Sequence, residues 1–300
     1  MDGILNIYKE KGFTSHDVVA VVRKILHMKK VGHTGTLDPD AEGVLPVCVG
    51  RGTKLADIIM DGHKSYRAIL HLGTTTTTED ASGEVLEEKP VIFDEDKIRE
   101  IVNGFIGELD QIPPMYSAVK VNGKKLYELA REGKVIDRKP RKIRIYDIQI
   151  RRFIPPCKVE MDVTCSKGTY IRTLCADIGE ALGCGGHMAE LTRTATGTFS
   201  LENAIKLGEL KAMAEAGQVE KALLKLEDAL TEYTKVFVSE KSAKLLYNGG
   251  KIRSGFFKSE KAVENGQVVM VFDHEKNLVG LYTIIEEEND FFIKPFKMLI

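Results

Sequence analysis

Asp38 stands in the string Gly32-His33-Thr34-Gly35-Thr36-Leu37-Asp38-Pro39, followed closely by Gly43, Pro46 and Gly50-Arg51-Gly52-Thr53-Lys54. The ring of Pro39 disfavours a helical backbone at Asp38. Gly32, Gly35 and Gly43 allow backbone angles and close approaches that a side chain forbids. The string therefore describes a rigid loop that presents one carboxylate, suited to adding to an electrophilic carbon or to removing a proton. An isolated Asp-Pro pair is more often a tight turn with a solvated acid. The length of the string is what raises Asp38 above that reading.

Three further strings lie far apart in the chain: Lys64-Ser65-Tyr66-Arg67-Ala68, Tyr116-Ser117-Ala118-Val119-Lys120 with Tyr127-Glu128-Leu129-Ala130-Arg131, and Cys165-Ser166-Lys167-Gly168-Thr169-Tyr170-Ile171-Arg172-Thr173-Leu174. Taken alone, Tyr66 reads as a core aromatic of a strand and His33 as an ordinary loop histidine. In order and spacing over residues 3 to 200, however, the strings together resemble the bacterial tRNA pseudouridine synthase B family. The resemblance implies that Asp38 is the essential catalytic residue and Arg172 its ion-pair partner. It places Tyr66 beneath a flipped uracil, with its hydroxyl aiding removal of the C5 proton, and gives Tyr170 a packing and hydrogen-bonding role. Leu191 is matched to a residue that packs on the flipped base, and His33 to one that fills the gap left in the RNA loop. Two departures concern loops only: Lys9-Glu10 stands where the family often has Lys-Pro, and Thr77 where it often has Asp.

The chemistry so implied breaks the bond between uracil N1 and ribose C1′, turns the base and rejoins it through C5. It requires no cofactor and no metal. A stacked uracil must first be extruded from the RNA, and aromatic rings suit that task because they stack on any base. An arginine beside Asp38 is expected to favour the ionised carboxylate.

The net charge of −1 argues against a nucleic-acid partner only as an average over the chain. Between Lys120 and Arg144 ten basic residues face three acids, with Tyr127 among them and Tyr116 just before. A solvated surface is one reading of such a run; contact with an RNA backbone is the other, favoured by the motif context. Lys120 and Arg131 are candidate RNA contacts there. Lys64 and Arg67, with Lys9 and Lys54, are phosphate contacts or strand-face charges, and the sequence does not separate these. The resemblance makes residues 113–142 an insertion that closes over RNA.

The elements that must position these residues alternate between helix and strand. Gly3 to Tyr8 reads as a strand, and Ser15 to Leu26 as a helix capped by Thr14 or Ser15 with Val18, Val22 and Ile25 on one face. Tyr66 to Leu72 and Val159 to Cys165 alternate as half-buried strands. Ile171, Leu174, Ile178 and Leu182 stripe a helix ending near Gly183, so Tyr170 and Arg172 sit at a strand-turn-helix junction. Thr74 to Thr78 reads as a loop and Gly208 to Leu230 as an amphipathic helical stretch. Beyond Thr231, Lys235–Val238, Val268–Phe272, Leu278–Ile285 and Phe291–Pro295 read as strands, with a short helix over Ser239–Tyr247 before Asn248-Gly249-Gly250. This tail resembles a PUA domain, a small RNA-binding β-barrel. The expectation is an α+β fold: a mixed-sheet catalytic domain over 1–232, then a PUA-like domain over 233–300.

The chain has 300 residues, 43% hydrophobic and 29% charged, ample for a large core. No apolar run approaches a membrane span, and the N-terminus lacks the order of a signal peptide, so the cytoplasm is expected. Five cysteines without a C-x-x-C pair argue for free thiols rather than disulfides or a zinc site. No heptad suggests obligate assembly, and a monomer without a protein partner is expected. Three other readings stay open: a tRNA-folding chaperone, a guide-RNA-dependent relative that shares the Asp-Pro loop and tail, and, more remotely, a glycoside hydrolase. The last would need a second carboxylate across the site.

Overall fold

The computed structural model describes residues 1–121, 123–287 and 290–300. A ten-stranded mixed sheet forms the body. Its order from one edge is Leu223–Leu224, Gly3–Lys9, Glu42–Val49, Gly186–Thr196, Lys64–Leu72, Lys158–Cys165, Arg141–Ile154 and Gly107–Gln111, with Val31–His33 and Phe199–Ser200 as side branches. Neighbours in this order run antiparallel except at the centre, where Thr192 and Arg193 pair in parallel with Glu42 and Gly43. Two half-sheets thus meet at a contact of two residue pairs.

Each half carries its own core. Helix Ser15–Leu26 lays Val18, Val19 and Val22 over Leu5, Ile7, Leu45 and Val47. Thr14 caps it, accepting from the Asp17 amide while the Asp17 carboxylate accepts from the Thr14 amide, so the capping residue and the apolar face are both as expected. On the other half, helices Ile171–Ala181 and Glu95–Asn103 cover Ala68, Leu70, Val159, Met161 and Ile145. Strand Lys64–Leu72 buries every second residue, including Tyr66, Ala68, Leu70 and Leu72, as its period predicts.

Two segments differ from the sequence reading. Thr74–Thr76 is a strand paired with Val85–Glu88, not a loop; β-branched threonines tolerate a ladder once a partner is in reach. Over Gly208 to Leu230 only Leu207–Glu215 is α-helix. Gly217, at φ +66°, ends it, and the chain continues through a 3₁₀ turn at Val219–Ala222 into the edge strand Leu223–Leu224.

The tail forms a six-stranded, barrel-like sheet ordered Ile252–Arg253, Asp290–Met298, Leu278–Glu287, Val268–Phe272, Lys235–Val238 and Phe257–Ser259. Asp273 ties the turn to Leu278 by accepting from the amides of Glu275 and Asn277. The expected helix over Ser239–Tyr247 is a 3₁₀ turn followed by α-helix from Ala243. The tail has a core of its own around Val236, Val269, Tyr282 and Ile293. It also shares one with the body, where Met270, Phe272, Leu281 and Leu299 pack with Ile4, Val44, Cys48 and Leu55. Lys297 pairs with Asp57 across this seam, and Lys54 donates to the carbonyl of Ile300 at 2.6 Å.

Candidate active site

Where the half-sheets meet, a cleft of about 1070 Å³ opens. The loop carrying Asp38 forms one side, held from behind at several points. Leu37 donates its amide to Ser15 Oγ at 2.9 Å, at the start of the first helix. Lys9 is fully buried and donates to the carbonyls of Phe13, Pro39 and Glu10 at 2.6, 3.0 and 3.3 Å. Burial lowers the Lys9 ammonium to about 8.

Arg172, in the first turn of helix Ile171–Ala181, faces Asp38. Its Nε lies 3.2 Å from Asp38 Oδ2, while Nη1 lies 3.3 Å from Asp80 Oδ2 and from the Thr78 carbonyl. Nη2 donates to the Tyr116 carbonyl at 2.9 Å. One nearly buried guanidinium thus joins two carboxylates and two loops. Asp80 is itself held, its Oδ1 accepting from Thr78 Oγ1 and from both the amide and hydroxyl of Ser82. The expected Asp38–Arg172 contact forms, yet it does not set the direction of the Asp38 pKa. Removal from bulk water raises the carboxyl above its ordinary value; Arg172 opposes this and Asp80 adds to it. The result is a more basic carboxylate than a surface aspartate.

The opposite wall is built on strands. Tyr66 and Arg193 are cross-strand partners and therefore share a face. Leu191 precedes Arg193 by two and lies on that face too; all three line the cleft. Burial pushes the Tyr66 hydroxyl up to about 12, against the pull of Arg193, so the phenol is protonated near neutrality. Tyr170 also lines the cleft. Its amide donates to the Gln111 side-chain oxygen at 2.8 Å, and the Gln111 nitrogen donates to its carbonyl at 3.0 Å. This two-point clamp orients the junction before Arg172.

Other expected positions are placed differently. Arg67 lies on the far face of its strand, paired with Asp162 at 2.9 Å, because neighbouring side chains of a strand point to opposite faces. Lys64 lines the cleft but is buried, its Nζ committed to the carbonyls of Met60 and Gly62 at 2.7 and 3.1 Å. His33 packs edge-on to His16 at 5.2 Å and accepts from the Gly35 amide, apart from the cleft wall. Arg131 lines the cleft mouth with Tyr127, 5.5 Å from that ring, whereas Lys120 is exposed on the small hairpin Lys120–Val121/Lys124–Lys125. Asp80, Gln111 and Arg193 were not singled out from sequence. For Arg193 a signal existed: it follows Leu191 by two, and so shares its face in any strand. Among the described residues no cluster of histidine, cysteine, aspartate and glutamate could hold a metal ion.

A carboxylate paired with a buried arginine thus lies opposite a tyrosine and a leucine in the cleft of a split mixed sheet. Residues 23–171 match the TruB family pseudouridylate synthase N-terminal domain, and 172–231 the tRNA pseudouridylate synthase B C-terminal domain. Similar curated proteins are the tRNA pseudouridine synthases B of Alkaliphilus oremlandii, 51% identical over 100% of this chain and 99% of that protein, and of Bacillus subtilis, 44% identical over 100% and 98%. Among solved structures, a Cbf5-Nop10-Gar1 complex contains a chain 30% identical with a TM-score of 0.77, covering 99% of this chain and 85% of that one. An H/ACA RNP bound to a substrate RNA containing 2′-deoxyuridine matches at 27% and 0.76, over 99% and 85%. The chain belongs to the TruB family of pseudouridylate synthases. The fold is accordingly the α+β pseudouridine synthase type with a PUA-like tail.

Proposed function

We propose that the protein isomerises uridine to pseudouridine in tRNA, at position 55 of the T loop, acting as a monomer in the cytoplasm without a cofactor or protein partner. The observation that carries this reading is the Asp38–Arg172 pair at 3.2 Å in a cleft roomy enough for a flipped nucleotide. Asp38 attacks the ribose or base, or abstracts a ribose proton; in either case the ionised carboxylate is the reactive form. Arg172 holds it in position. Tyr66 and Leu191 sandwich the uracil as it turns, and Tyr170 borders it. With its phenol protonated, Tyr66 can take up the C5 proton only by passing its own proton on, so stacking is its main role.

Residues 1–232 carry the chemistry in this reading, and 113–142 close over the T stem-loop. Tyr127, flanked by Lys125 and Arg131 at 5.3 and 5.5 Å, offers a ring and two cations at the cleft mouth. Arg131 and Lys120 meet phosphates, and the tail over 233–300 extends the RNA surface. His33 reaches the RNA loop only by leaving His16, and Lys64 and Arg67 reach phosphate only by leaving their present partners.

The test is pseudouridine mapping on an unmodified tRNA transcript with the purified protein alone, beside Asp38→Asn. Wild type should convert the T-loop uridine only, and Asp38→Asn should bind the transcript and convert nothing. Turnover by that variant would remove Asp38 from its role. Binding without conversion by wild type would favour a chaperone or a guide-RNA-dependent synthase subunit.

A further inference from the structure

Arg193 has no solvent exposure and, among the described residues, no carboxylate partner. A guanidinium taken from water without a counter-ion costs several kcal/mol, and an apolar side chain would fill the same volume more cheaply. What offsets the cost is its placement among three separate pieces of the site. Nε donates to the Val44 carbonyl at 2.7 Å, in the central strand of the other half-sheet. Nη2 lies 3.4 Å from the carbonyl of Gly35, three residues before Asp38 in the same loop. Tyr66 stands directly across the ladder, its side chain on the same face as the guanidinium, and each group influences the other's ionisation.

We infer that Arg193 is a positioning residue, fixing the Tyr66 ring relative to the Asp38 loop across the junction of the half-sheets. This rests on the function proposed above. The backbone at the junction supplies little for the purpose, since only two residue pairs join the halves. Arg193 adds side-chain bonds where the ladder is shortest. A fully buried group cannot touch RNA, so it acts through Tyr66 and the loop. Lys64, in register with Thr196 three residues along the ladder, is a second buried cation, but its ammonium is used on the carbonyls of Met60 and Gly62. The role therefore falls to Arg193 alone.

The experiment is a double-mutant cycle read by single-turnover conversion and by tRNA binding, using the full chain. Arg193→Gln should slow conversion about a hundredfold, as expected when reacting groups are displaced by about an ångström, with tRNA affinity within about twofold of wild type. In a Tyr66→Phe background the same substitution should cost about threefold or less, because residues acting as a unit are not additive. Arg193→Lys should recover part of the loss. With 3-fluorotyrosine at position 66, the fluorine resonance at neutral pH should move and broaden in Arg193→Gln relative to wild type, since the ring loses the neighbour that stands across the ladder from it. Full additivity, a loss confined to binding, or an unmoved fluorine resonance would each overturn the inference. If Arg193→Gln does not fold, Arg193→Lys takes its place in the cycle, and additivity there is equally decisive. Wild type run in parallel separates the two ideas: conversion by wild type with an additive cycle defeats only the role of Arg193, whereas absence of conversion by wild type defeats the proposed function.

Discussion

Arg172 serves two carboxylates at once, and Asp80 is the one that sequence reasoning passed over. Its charge raises the Asp38 carboxyl, so Asp80→Asn should shift the acid limb of the pH–rate profile to lower pH. It should also slow single-turnover conversion by about ten- to a hundredfold, because the guanidinium loses an anchor. Unchanged tRNA affinity is expected, and a weakening of affinity alone would make Asp80 a binding residue. A half-buried acid gives a separate test. Asp177, on the helix that carries Arg172, is pushed up to about 6 by burial first and by Glu79 and Glu180 next. Because its folded value exceeds the unfolded one, the folded state holds the extra proton between about pH 4 and 6, and stability falls as pH rises through that window. Asp177→Asn should therefore stabilise the protein at pH 8, by about 1 kcal/mol once solvent screening of this half-exposed group is allowed for, with the gain vanishing near pH 4. Denaturant titrations at the two pH values check this; a gain that does not change with pH would refute the assignment.

The two-pair parallel contact between Glu42–Val49 and Gly186–Thr196 depends on one glycine. Gly43 has φ +106°, and a Cβ there would lie 2.2 Å from the Arg193 carbonyl oxygen. Gly43→Ala should cost about 3 kcal/mol or more in chemical denaturation, combining strain with a clash against backbone. A cost under about 1 kcal/mol would show that the strands slide apart easily. Elements with a clear local signature were legible in the sequence: Thr14 as cap and the Val18, Val22 stripe placed the first helix, and alternation placed the strand bearing Tyr66. The Asp-Pro loop was legible because its glycines and proline act on the backbone locally. The Thr74–Thr76 strand was not, since a short polar run pairs only when a distant partner arrives. The stretch after Leu207 misled because its apolar spacing continues past Gly217, where the backbone turns. Arg67, next to Tyr66 on a strand of period two, was already on the opposite face from Tyr66 by alternation, and only its Asp162 partner waited on the fold. Asp80 became visible only when loops distant in sequence met, whereas Arg193 carried a local signal, two residues after Leu191 on one strand face.

At the scale of the molecule, body and tail share a buried seam, so the tail is not a free attachment. Deleting 233–300 would uncover Ile4, Val44, Leu55 and their neighbours. The truncated chain should melt at least about 5 °C lower than the full chain or aggregate, and calorimetry of the full chain should give a single transition. A truncated chain as stable as the parent would mean that the seam contributes little. Segment 113–142 is joined to the body in a different manner: its Tyr116 carbonyl is an acceptor of the guanidinium that holds Asp38. Any RNA that shifts the backbone at Tyr116 also loosens or re-aims that guanidinium. Under the proposed function the segment and the acid therefore share one hinge pin, so that gripping a substrate and arming the carboxylate would be a single mechanical event.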